Sequence, residues 1–74
     1  SIIAYPNPAK TILTLVPSQK EETIISVTVV NLVGQLLPVD FEHNNLILSD
    51  LAPGKYFVRV QTTSSSNTIS FIKE

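Results

Sequence analysis

The chain has 74 residues, a net charge of −1, and 43% apolar against 15% charged residues. That is enough for one small domain, and the charge balance gives no electrostatic case for nucleic acid or an anionic membrane surface as partner. There is no cysteine, so no disulfide or thiolate zinc site staples the fold, and no apolar run approaches the ~20 residues of a membrane helix.

The charged fraction is below the ~25% of an ordinary soluble domain. Ser, Thr, Asn and Gln fill the gap, as on a β-rich surface. The chain starts at Ser1 and has no methionine. It is therefore read as a piece of a longer protein or as a processed one, and the lack of a visible signal peptide says nothing about destination.

No segment keeps the i, i+3, i+4, i+7 apolar spacing of a helix for three turns. Alternation with a period of two is frequent instead, and each such set shares one face of a strand. The first break is Pro6-Asn7-Pro8, because a residue before proline is driven out of the helical region. Leu13 and Leu15 then alternate around Thr14, up to a turn at Pro17-Ser18-Gln19. Ile25, Val27 and Val29 form the next one-faced set. Asn31 to Gly34 reads as a hairpin loop with glycine at the residue needing positive φ. Pro38 demotes the strand over Gln35 to Val39 to an edge or a bulge.

His43-Asn44-Asn45 reads as a tight turn, since Asn tolerates the left-handed conformation. Leu46 and Leu48 bracket Ile47, and Pro53-Gly54 makes a further turn. Tyr56, Val58 and Val60 then alternate with Phe57, Arg59 and Gln61. Ser64 to Asn67 is the last turn, before Ile69 and Phe71. Short strands separated by turns at this spacing predict an all-β, immunoglobulin-like antiparallel sandwich of about seven strands. Tyr56, just after the Pro53-Gly54 turn, resembles a tyrosine corner, whose hydroxyl bonds backbone a few residues upstream.

The chemistry-bearing residues do not assemble into a catalytic motif. His43, the only histidine, reads as an exposed turn residue rather than a triad partner of Asp40, Glu42 or Asp50, because geometry makes a triad. Asp40, Glu42, His43, Asn44 and Asn45 match no calcium-loop spacing. Glu21-Glu22 reads as a solvated loop. Two isolated glycines cannot cradle a phosphate. The expectation is a non-catalytic domain with no metal and no cofactor. Phe57 and Arg59 share the face opposite the core and form the best recognition patch that side-chain chemistry offers. A short, weakly charged β-domain also invites edge-to-edge dimerisation.

Four segments, in order, resemble a known family. They are Tyr5-Pro6-Asn7-Pro8-Ala9-Lys10 with Leu13 and Leu15; Val27 to Gln35; Leu48 to Val60, containing Leu51-Ala52-Pro53-Gly54-Lys55-Tyr56-Phe57-Val58; and Phe71-Ile72-Lys73. The chain is similar to the type A C-terminal sorting domain of the type IX secretion system, found in Bacteroidetes-type bacteria. The resemblance implies a single sorting domain over residues 1–74, ending a larger secreted protein. It implies a passive role: translocon components recognise the domain in the periplasm, its N-terminal cargo crosses the outer membrane to the surface or medium, and a sortase-like peptidase usually removes the domain. It also implies sorting or recognition positions at Pro6, Asn7, Pro8, Gly34, Gly54, Tyr56, Phe71, Ile72 and Lys73, with Lys73 the foremost signal element. An immunoglobulin-like accessory module binding carbohydrate or protein at the cell surface is the alternative reading. Ser70 stands where the family often has lysine, Val30 where it often has tyrosine, and Glu74 follows Lys73.

Overall fold

The computed structural model describes residues 2–19 and 21–74; Ser1 and Lys20 lie outside the described residues. Eight strands run through them: β1 (Ile2–Tyr5), β2 (Ile12–Pro17), β3 (Ile24–Val30), β4 (Leu36–Leu37), β5 (Asp40–Glu42), β6 (Asn45–Ile47), β7 (Gly54–Thr62) and β8 (Ser66–Lys73). They form two four-stranded antiparallel sheets, ordered β1-β2-β6-β5 and β4-β3-β7-β8. The arrangement is the expected all-β sandwich, with eight strands rather than about seven.

The extra strand arises at Pro38. β4 ends after two residues because proline has no N–H to donate to a ladder. The chain then crosses to the other sheet as β5. Both β4 and β5 are edge strands, and both are short, which limits edge-to-edge pairing there. β5 returns as β6 through His43 and Asn44, whose φ values of 52° and 63° are the two left-handed residues of a two-residue hairpin.

The core lies between the sheets. Leu13, Leu15, Leu46 and Leu48 come from or beside the first sheet; Val29, Tyr56, Val58, Val60 and Phe71 come from the second; Ala9 comes from the segment between β1 and β2. Burying each large apolar side chain contributes about 1.5–3 kcal/mol. Alternation on β2, β7 and β8 therefore located most of this core.

On β3 the expected face is corrected. Ile24 pairs with Thr62 and Ser26 with Gln61, so Ile25 is an extra residue opposite no partner. This β-bulge shifts the alternation by one. Ile24 packs against the core, while Ile25 is 63% exposed and does not share the face of Val27 and Val29.

Candidate functional site

The tyrosine corner organises one end of the sandwich. Gly54 opens β7 after the Leu51-Ala52-Pro53 turn, and the next inward-facing residue is Tyr56, which is buried. Its hydroxyl donates to the Ala52 carbonyl at 2.6 Å, four residues upstream. A buried phenol needs such a partner. Across the ladder Tyr56 faces Phe71, and the two rings stack with centroids 5.7 Å apart and planes inclined by 25°.

The Pro6-Asn7-Pro8 turn closes over the same end of β8. The Asn7 Oδ1 accepts from the Ile72 N–H at 3.0 Å, and its Nδ2 donates to the Ser70 carbonyl at 3.4 Å. The carboxamide thus presents an acceptor and a donor to the β8 edge, as a neighbouring strand would. Ala9 continues the pairing in main chain: its N–H donates to Ile72 O and its carbonyl accepts from the Glu74 N–H, both at 2.8 Å. Ala9 and Lys73 form a parallel bridge. Ala9 itself is fully buried. Lys73 therefore sits between Gly54 on one side and Ala9 on the other, half-buried, with its Nζ donating to the Glu74 carbonyl at 2.9 Å. Ile72 faces outward and is 45% exposed.

The loop from Asn31 to Gln35 stands beside them. One side chain ties it together. Asn31 Oδ1 accepts from the N–H groups of Val33 and Gln35 at 3.1 and 3.0 Å, and its Nδ2 donates to Gln35 Oε1 at 2.8 Å. Main-chain bonds link Gly34 N–H to Asn31 O and Asn31 N–H to Gln35 O. Gly34 has φ of 85°, a left-handed value that glycine adopts without steric cost. The loop holds Leu32 and Val33 in solvent at 65% and 79% exposure. A shallow cleft of about 260 Å³ separates Asn31, Leu32 and Val33 from Gly54, Lys55 and Tyr56. Segments far apart in sequence thus converge at one end of the sandwich.

The family model for the secretion system C-terminal sorting domain matches residues 3–74. The chain belongs to that family. It carries a C-terminal type IX sorting signal and is destined for the cell surface or medium. The sorting domain works with the secretion machinery and with the cargo that precedes it, and its family is one of signals rather than catalysts. No curated protein and no solved structure matches it.

Elsewhere the sorting domain departs from expectation at Glu22. This residue is not part of a solvated loop: it is 6% exposed. Its Oε2 accepts from Thr62 Oγ1 at 2.7 Å, Ser65 Oγ at 2.9 Å and Ser64 Oγ at 3.0 Å. These hydroxyls, Thr62 foremost, hold the Glu22 carboxyl down from its ordinary 4.5 to about 2 against the opposing effect of burial. Glu22 therefore pins the β2–β3 connection onto the tip of the β7–β8 hairpin, at the end opposite the tyrosine corner. Sequence reading missed it because its three hydroxyl donors lie 40 or more residues away.

His43 and Asn44 occupy the exposed β5–β6 turn, with Asp40 and Glu42 on the outer edge strand β5. Among the described residues no three His, Cys, Asp or Glu side chains gather as a metal-binding group. The Asn7 bridge was also missed. Its only sequence trace is a carboxamide fixed between two prolines.

Proposed function

We propose that the end of the sandwich bearing the family motifs is the surface that the type IX machinery reads. The observation that carries this reading is the convergence of the four motif segments: Asn7 and Ala9 on the end of β8, Tyr56 on Phe71, and the Asn31–Gly34 loop across a narrow cleft from Gly54. The motif positions then divide by physical role. Pro6, Asn7, Pro8, Gly34, Gly54, Tyr56 and Phe71 build the surface. Ile72 and Lys73 present it, together with the exposed Leu32 and Val33. In this reading the domain is one non-catalytic module, N-terminally joined to cargo and removed after export by a sortase-like peptidase.

Deleting Phe71 to Glu74 would be a poor test, because it takes Phe71 out of the core and unpairs Ala9. Surface substitutions separate recognition from folding. Residues 1–74 are fused behind a periplasmic fluorescent protein, in a bacterium with a type IX system and in a translocon-deficient strain. The wild-type fusion reaches the surface or medium only in the competent strain. A fusion carrying Ile72→Asp with Lys73→Glu, shown by its melting curve to be folded, stays in the periplasm. Export of that folded variant at the wild-type level would remove the β8 end from the recognised surface.

A further inference from the structure

The outer face of the β4-β3-β7-β8 sheet has a chemistry of its own. Strand pairing puts Lys55, Phe57 and Arg59 of β7 on this face, with Val30 beside Phe57 and Thr28 beside Arg59 on β3, and Ser70 and Thr68 opposite them on β8. Leu36, 72% exposed, pairs with Val30. Here Thr28, Val30, Leu36, Phe57, Arg59 and Thr68 line a groove of about 230 Å³. Lys55 Nζ lies 6.0 Å from the Phe57 ring centroid, a cation–π distance.

Two features make this more than a sheet surface. The four strands contain no Asp or Glu. Lys55 and Arg59 therefore find no counter-ion within their own sheet, whereas the acids Asp40 and Glu42 lie on β5 of the other sheet. The two cations also flank an aromatic residue at strand spacing. Alternate residues on one face are about 6.6 Å apart, so charge, apolar surface and charge recur along one line.

We propose that this groove docks an extended acidic segment of a partner protein, with a carboxylate at each end and an apolar side chain between them, two residues from each. The apolar side chain fills the space between Leu36, Val30 and Phe57, and the carboxylates meet Lys55 and Arg59. Arg is suited to the second contact because its planar fork binds a carboxylate in two parallel hydrogen bonds. A uronate polymer would neutralise the cations but leave Leu36 and Val30 against water. A second copy of the chain offers Asp40 and Glu42 only two residues apart, with the intervening Phe41 turned to its own core. The groove shares Lys55, and its cross-strand neighbour Ile72, with the end of the sandwich proposed above, but peptide binding is read without the secretion machinery, so either reading can fail alone.

The test is an NMR titration of the isotope-labelled 74-residue chain with the peptide acetyl-Gly-Glu-Thr-Leu-Thr-Glu-Gly-amide. At low ionic strength the shifts map to Val30, Phe57 and Thr68. Binding weakens severalfold in about 0.3 M salt, as exposed charges are screened. Replacing both glutamates of the peptide by glutamine weakens binding, and so does replacing its leucine by serine. Arg59→Glu weakens binding roughly tenfold or more with an unchanged melting curve, since Arg59 is exposed. Several results would overturn the proposal: equal binding of the glutamine peptide, shifts confined to other faces, an Arg59→Glu variant that binds normally, a galacturonate oligomer binding as tightly as the peptide, or self-association through β5 in place of peptide binding.

Discussion

Replacing Tyr56 by Phe removes one oxygen and leaves the ring that stacks on Phe71. The loss is the 2.6 Å hydrogen bond to Ala52 O. A hydrogen bond of this kind contributes about 0.5–1.5 kcal/mol net. Leaving the acceptor unpaired would cost more if it were sealed from water, but Ala52 is exposed and its carbonyl can be rehydrated, so the lower half of that range applies. For a domain this small, each kcal/mol is worth about 4–8 °C in Tm. Tyr56→Phe should therefore melt a few degrees below wild type with an unchanged denaturant slope. Tyr56→Ala also removes the ring from the core, at about 3–5 kcal/mol. That equals or exceeds the few kcal/mol of net stability a core of this size supplies, so Tyr56→Ala should be unfolded at room temperature. Urea and thermal unfolding followed by circular dichroism measure both. A Tyr56→Phe variant that melts with the wild type, or one as damaging as Tyr56→Ala, would refute these roles for the hydroxyl and the ring.

Three further outcomes follow from the geometry. Because folding lowers the Glu22 carboxyl from 4.5 to about 2, its stabilisation is complete above about pH 5 and is lost as pH falls through that interval; urea midpoints from pH 7 to pH 2 should fall more steeply for wild type than for Glu22→Gln, and parallel curves would refute this. Asn7→Ala should accelerate hydrogen exchange at the Ile72 amide, which it leaves without its side-chain acceptor, while amides near Glu22 keep wild-type protection. Gly34→Ala should cost about 1 kcal/mol through its positive φ alone, since an added Cβ meets nothing within 4 Å; Gly34→Asn should cost less, and equal urea midpoints for all three would show that the loop relaxes out of that conformation.

The parts of this fold that sequence revealed are those fixed by local chemistry. The two-residue period on β7 put Tyr56, Val58 and Val60 inward, and all three are buried. Gly34 and the run His43-Asn44-Asn45 marked turns because few residues tolerate positive φ; Gly34, His43 and Asn44 have it, whereas Asn45 already opens β6. Pro38 marked an edge strand or a bulge, and β4 is an edge strand, but nothing signalled that it stops at Leu37 and that the chain changes sheets there. What sequence concealed depends on partners distant along the chain. Nothing near Ile25 signals a bulge; the extra residue is defined only by where Gln61 and Thr62 sit opposite it. Glu22 looks like one of two adjacent acids until Thr62, Ser64 and Ser65 surround it. The candidate surface followed the same division. Its glycines and Tyr56 were legible, but its closure by Asn7 was not.

That closure ties residue 7 to residue 72 and residue 9 to residue 74. The first turn of the domain thus waits on its final strand during synthesis. A ribosome that stops before Phe71 releases a chain whose core lacks its largest fully buried side chain and whose Ala9 carbonyl has no Glu74 N–H to accept from. Such a product cannot complete the β8 ladder, however well its earlier strands pair. The folded state therefore depends on translation at least through Phe71, and a transport step that required the folded domain would pass over cargo truncated before that residue.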